Sequence, residues 1–233
     1  MKKIYFIIFG ILIISSFACN KQDWDREVDL PIRLESDMNE EVSINNDILT
    51  VNQAKLVISS ITISGKRLQA NDVTVNYNSK INLDFLSSEE LGHSIKIPVG
   101  TYEDLKATII FSGDSENNFI LGDIVSNNGN GNGNGSGNSK AINIPLNFGE
   151  LQNISIVNEQ GESVVLIDEK TIGFKLTTSI QKSFDNLNTS MWQGLMNANQ
   201  NQSQIDLNST LGSDFQSSIN SEIKNNIQLK VLK

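Results

Sequence analysis

The chain has 233 residues, with 18 basic and 27 acidic side chains, a net charge of -9, one His and one Cys. A single Cys excludes an internal disulfide and any Cys-cluster zinc or iron–sulfur centre, and a single His excludes a zinc site built on several imidazoles. The acidic balance argues against nucleic acid, because phosphate binding needs a basic face.

Residues 1–18 read as a signal peptide. Lys2 and Lys3 form a positive start, and Ile4 to Ile14 is an apolar run interrupted only by Gly10. That run is shorter than the about 20 residues of a bilayer-spanning helix, and it has no polar face of the kind a core helix carries. Ser16-Phe17-Ala18-Cys19 resembles the bacterial lipobox, with a small residue directly before the chain's one Cys. The resemblance implies diacylglyceryl transfer to the Cys19 thiol and cleavage before it. Cys19 is thus the expected lipidation site, and the membrane is the partner it contacts. Each buried CH₂ contributes about 0.8 kcal/mol, so two or more acyl chains hold a protein stably. Loss of Lys2 and Lys3 leaves a still more acidic body, which anionic headgroups repel.

Residues 19–26 form a polar tether. Lys21 followed by Asp23 and Asp25 is similar to the surface-export signal of Bacteroidetes-type lipoproteins. The implied location is the cell envelope, as an outer-membrane lipoprotein facing outward.

Residues 27–178 read as strands. Val28, Leu30, Ile32 and Leu34 alternate, with Pro31 placing this strand at an edge or pairing it on one side only. Ala54 to Ile63 is a β-branched run ended by Gly65. Val73–Tyr77 and Ile81–Phe85 alternate around a turn at Asn76–Ser79, and Ser87–Leu91 has the look of one helical turn. Ile95 to Val99, Leu105 to Phe111, Phe119 to Val125, Ile142 to Phe148, Ile154 to Ile156, Val164 to Ile167 and Ile172 to Leu176 follow. About ten short strands with turn residues between them indicate a sandwich or barrel, and no strand–helix–strand rhythm supports a parallel sheet. Asn127 to Asn138 contains only Asn, Gly and Ser, cannot fold by burial, and reads as a flexible loop between two strands. It lacks the Asp of calcium-binding repeats and the Lys of a phosphate loop.

The period changes in residues 179–233, which read as a helical C-terminal extension. Ile180, Phe184, Leu187, Met191 and Leu195 share one helix face, weakened by Asn186, Asn188 and Gly194. A second helix is expected from Ser213, with Ser213 and Gln216 as a capping box and Phe215, Ile219 and Ile223 as its stripe. Ile227, Leu229 and Val231 alternate as a last strand. The stripes are expected to dock on the sheet.

Three segments resemble a family. They are Ala54 to Gly65, Ile81 to Leu86, and Ile97 to Lys106 with its Pro98-x-Gly100-x-Tyr102 turn. The chain resembles lipid-anchored β-sandwich domains of prokaryotic (Bacteroidetes-type) envelope lipoproteins, a family of uncharacterised function. The resemblance implies an all-β, antiparallel Ig-like or transthyretin-like β-sandwich with no known catalytic residues. The turn has a physical reading as well: Pro98 and Gly100 make it tight, and Tyr102 covers the edge with its hydroxyl in solvent.

No residue is put forward as catalytic, cofactor-binding or metal-binding. His93 lacks a nucleophile motif and reads as a surface loop residue. The pairs Glu89-Glu90, Glu103-Asp104 and Asp168-Glu169 are adjacent and do not face one substrate. Asp114, Glu116 and Asp123 are oxygen ligands in type, but read as loop solvation. The expected role is a non-enzymatic envelope lipoprotein, a surface binding or adhesion module with a protein or glycan partner and no cofactor. A glycan-binding accessory subunit predicts exposed Trp or Tyr on a sheet face, and Trp24 and Trp192 are the only Trp. A hydrolase predicts clustered carboxylates. A structural lipoprotein of the periplasmic face, binding a protein partner through its tail, predicts exposed Ile219 and Ile223.

Overall fold

The computed structural model describes residues 25–68, 70–88, 90–113, 116–126, 139–158, 162, 164–166 and 173–232. The signal peptide, Cys19, Trp24 and Asn127–Asn138 lie outside the described residues. In chain order the first strands are β1 (Glu27–Ser36), β2 (Glu41–Ile44), β3 (Asp47–Arg67), β4 (Val73–Tyr77), β5 (Ile81–Asp84), β6 (Glu90–Pro98) and β7 (Gly100–Phe111). Then come β8 (Phe119–Ser126), β9 (Ser139–Pro145), β10 (Glu150–Ser155), β11 (Val157–Asn158), β12 (Val164–Leu166) and β13 (Gly173–Thr178). Helices α1 (Ile180–Asp185), α2 (Thr189–Ala198) and α3 (Thr210–Asn226) precede β14 (Gln228–Leu232).

The strands form two mainly antiparallel sheets, a sandwich-like all-β fold. The first runs β11-β14-β13-β1-β6. Within it β1 pairs antiparallel to β6 but parallel to β13. The residue pairing with β13 starts at Ile32, so Pro31 has a ladder neighbour only in β6 and its missing N–H breaks nothing on the other side.

The second sheet is built on β3, a 21-residue strand. It contains no Pro and no Gly before Gly65, and its β-branched residues favour a pleated, half-buried surface. Along one edge β3 pairs in turn with β2, β5 and β4; along the other it pairs with β8 and then β7. β7 carries β10 and β12, and β8 carries β9. Register shifts at Val51/Gln53 and Ile58/Ser60 mark bulges, where a strand bends and changes which side chains face inward.

The bend divides the work of β3. Strands beside its C-terminal half meet the first sheet: β4 and β5 touch β6, and β10 touches β14. The N-terminal half is covered by the helices. Helix α1 lies against β2, and the α2 residue Trp192 bonds Asp47 at the start of β3. Both layers share one apolar core. Phe215, Ile219 and Ile223 of α3 are fully buried in it, each large apolar side chain contributing about 1.5–3 kcal/mol. The tail stripe therefore docks on the body, and the exposure of Ile219 and Ile223 expected of a free partner-binding tail is not found.

Several local expectations are corrected. Among the described residues of Ser87–Leu91 there is no helical turn: a turn at Phe85–Leu86, where Asp84 accepts the Leu86 N–H, precedes β6, which starts at Glu90. The helical stripe over 180–195 is broken, as its Asn residues allow: it forms two helices, because Asn188 caps a new one by accepting the N–H groups of Ser190 and Met191. α3 starts earlier than Ser213, since Ser209 caps it through Gly212 N–H. The hairpin of β2 with β3 was not anticipated. Its signal is Asn45-Asn46 between two apolar alternations, and Asn45 takes a positive φ of 57°.

Candidate functional site

The singled-out side chains that the structure describes have definite places; Cys19, Trp24, Glu89, Asp114, Asp168 and Glu169 lie outside the described residues. His93 is not in a loop but in β6, half-buried, with its Nδ1 2.5 Å from the Tyr77 hydroxyl of β4. This contact closes the seam between the edge strands of the two sheets. Tyr102 is fully buried rather than capped by solvent. Its hydroxyl donates to the Pro98 carbonyl at 2.7 Å, and its ring lies where a Cβ on Gly65 would approach to 2.5 Å. Burial pushes the Tyr102 phenol up to about 12, against the opposing pull of Arg67. Trp192 is also inside, donating its indole N–H to Asp47. The tyrosine and tryptophan rings among the described residues thus form no open platform. Among the described residues no three or more His, Cys, Asp or Glu side chains gather as a metal site.

The structure brings together a different set of residues, along the outer edge of β9. Lys140 anchors it. Its side chain is buried, and its ammonium donates to the carbonyls of Asn199 (2.7 Å), Gln200 (3.0 Å) and Gln202 (2.6 Å). These carbonyls follow the C-terminal end of α2, where orphaned acceptors and the helix dipole both favour a cation. The pinned chain then runs beside β9: Ala141 N–H donates to the Ser203 carbonyl, and Ile205 N–H donates to the Ala141 carbonyl, both at 2.9 Å.

The same segment is tied down beyond that point. Asp206 N–H donates to Asn199 Oδ1, and Asp206 Oδ1 accepts from Asn208 N–H. Gly212 packs on this turn so tightly that a Cβ there would lie 2.4 Å from the Leu207 Cα. From the other side α3 reaches over. Gln216 and Asn220 each donate a side-chain N–H to the Pro145 carbonyl, and Lys224 donates to that of Phe148.

Between these two clamps is a cleft of about 390 Å³. Ile205 and Leu207 form its buried floor, and Asn143, Gln202, Gln204, Asn208 and Gln216 bring five carboxamides to its wall. Asp206 is the one ionisable side chain on it. A second depression of about 440 Å³ continues along α3 and shares Gln216 with the first. A larger hollow of about 600 Å³ lies at the outer surface of the first sheet, but its charges pair with one another: Lys175 with Glu35 at 2.8 Å and Arg33 with Glu90 at 3.9 Å. The sequence reading missed the β9 cleft because its parts lie about 60 residues apart. Its nearest signal is the density of Asn and Gln in residues 197–208.

Comparison with protein-family models, with curated proteins and with solved structures found no match.

Proposed function

We propose that this chain is a lipid-anchored, non-enzymatic protein of the cell envelope, tethered through Cys19 to the outer membrane, and that it is a surface binding module. The supporting observation is where the tether enters relative to the β9 cleft. Val99 N–H donates to the Arg26 carbonyl, and Arg67 at the C-terminal end of β3 donates to the Val99 carbonyl. The tether thus joins the body beside that end. The cleft lies beside the other half, through β9 and β8, at a register near Gln53 and Lys55. Roughly 40 Å of strand separates the two, at about 3.3 Å per residue. A lipid on Cys19 would leave the cleft on the side away from the bilayer, as a capture module requires.

An Ig-like kinship belongs to the same reading. Tyr102 sits where the chain crosses from β6 in one sheet to β7 in the other, and its hydroxyl bonds back to Pro98. That arrangement matches the tyrosine corner of Ig-like sandwiches.

Cell fractionation with Cys19→Ala tests the anchor: the variant is expected to leave the membrane fraction, and unchanged association would refute lipidation. Protease shaving of intact cells tests the orientation. Digestion with a periplasmic control intact is expected, and protection would place the chain on the inner side.

A further inference from the structure

The outer edge of β9 is covered on either side of one residue, at Ala141 and at Pro145. In an antiparallel ladder alternate residues turn their peptide groups to the same side. Ala141 turns its N–H and C=O away from β8, since both are taken by the 203–205 segment. Pro145 turns its carbonyl the same way, to Gln216 and Asn220. Asn143, midway between them, therefore presents its N–H and C=O outward into the cleft. Among the described residues nothing bonds these two groups. Its side-chain carboxamide, with that of Gln204, also lacks a partner among the described residues.

We infer that this cleft binds an uncharged, hydroxyl-rich ligand, a short glycan segment, through the Asn143 peptide and the surrounding carboxamides. The inference rests on the proposed binding role and names its ligand class. Hydroxyls both donate and accept, so one diol can satisfy the Asn143 N–H and C=O, and another a carboxamide. The alternatives fit worse. An added peptide strand needs a continuous open edge, and here the clamps leave one residue's worth. An anion needs cations, yet the Lys140 ammonium is occupied by three carbonyls and no Lys or Arg lines the cleft. The volume falls in the range of small-molecule sites, about 300–1,000 Å³. With no aromatic ring on the wall, affinity comes from hydrogen bonds, and binding is weak and fast.

Saturation-transfer NMR on the detergent-purified full chain tests this. The probes are neutral oligosaccharides of glucose, galactose, mannose and N-acetylglucosamine, with an oligogalacturonate as the charged comparison. Transfer to at least one neutral probe and none to the uronate is expected. Gln204→Ala should weaken binding about threefold to tenfold, as for one or two lost hydrogen bonds. Asn143→Pro removes the outward N–H together with the side-chain carboxamide while sparing the ladder to β8, which an edge strand tolerates, and should weaken binding at least as much at an unchanged thermal midpoint. No transfer from any neutral probe, preference for the uronate, or equal binding by both variants would overturn the inference. Binding to purified protein is independent of cellular location, so failure here leaves the fractionation and shaving results standing, and their failure leaves this result standing.

Discussion

Trp192 donates its indole N–H to the Asp47 carboxylate at 2.7 Å, across 145 residues of sequence. The bond ties the helical layer to the first residue of the long central strand, and both side chains are buried. Trp192→Phe keeps a ring in the core but removes the donor. A loss of about 1–3 kcal/mol is expected, typical for a buried acceptor deprived of a partner. Urea unfolding of Trp192→Phe, Asp47→Asn and the double variant checks it: the two changes should couple, and simple additivity would show the bond contributes nothing.

Lys140 is the second tie between layers. Lys140→Met preserves most of the aliphatic stem while stranding three carbonyls that its ammonium now serves. Stability should fall by about 2–4 kcal/mol, through a lower urea midpoint at unchanged slope. Amide exchange should rise first in the segment after α2, because that segment reaches β9 through these bonds.

Tyr102 makes stability pH-dependent in the alkaline range. Its folded value is raised to about 12, above the usual 10 of tyrosine. The neutral phenol is favoured in the folded state, so this contribution is complete below pH 10 and is lost as pH rises through about 12. Tyr102→Phe should flatten the fall in stability over that window, at the cost of the bond to Pro98. An identical alkaline profile in the variant would show that another group is responsible.

Gly122 marks a close approach of two strands. A Cβ there would lie 2.4 Å from the Thr50 carbonyl oxygen, which is backbone and cannot swing aside. Gly122→Ala should destabilise by about 1–3 kcal/mol or more, as overpacking does. Gly113→Ala, where a Cβ meets nothing within 4 Å, should be near neutral. Thermal midpoints of the two compare them directly.

Much of the strand pattern was legible because burial on one face imprints a period of two. Val28 to Leu34, Leu105 to Phe111 and the closing Ile227, Leu229 and Val231 all carry it, and the helical stripe Phe215–Ile219–Ile223 carries its own period. What was not legible depends on partners distant in sequence. The bulges that bend β3 break its alternation, leaving Asn52 and Gln53 both exposed between Val51 and Ala54, so its N-terminal half and β2 were passed over. The true cap of α3 is Ser209, which has no acidic or amide residue three positions on, whereas Ser213 fits the capping-box pattern and lies inside the helix. Tyr102 shows the same limit: an aromatic beside a tight turn gives no sign that a glycine 37 residues earlier makes room for its ring. The cleft was least visible, because carboxamides at Asn143, Gln204 and Gln216 become one wall only after Lys140 has found the end of α2.

The position of β14 governs when the fold can close. The strand lies between β13 and β11, and β13 in turn is the parallel partner of β1. Among the described strands the first sheet therefore joins the earliest to the latest ones, and residues 228–232 bridge β13 to β11. Such long-range pairing slows folding. A chain still short of residues 228–232 lacks the strand that bridges β13 to β11, so that side of the sheet is the last to close.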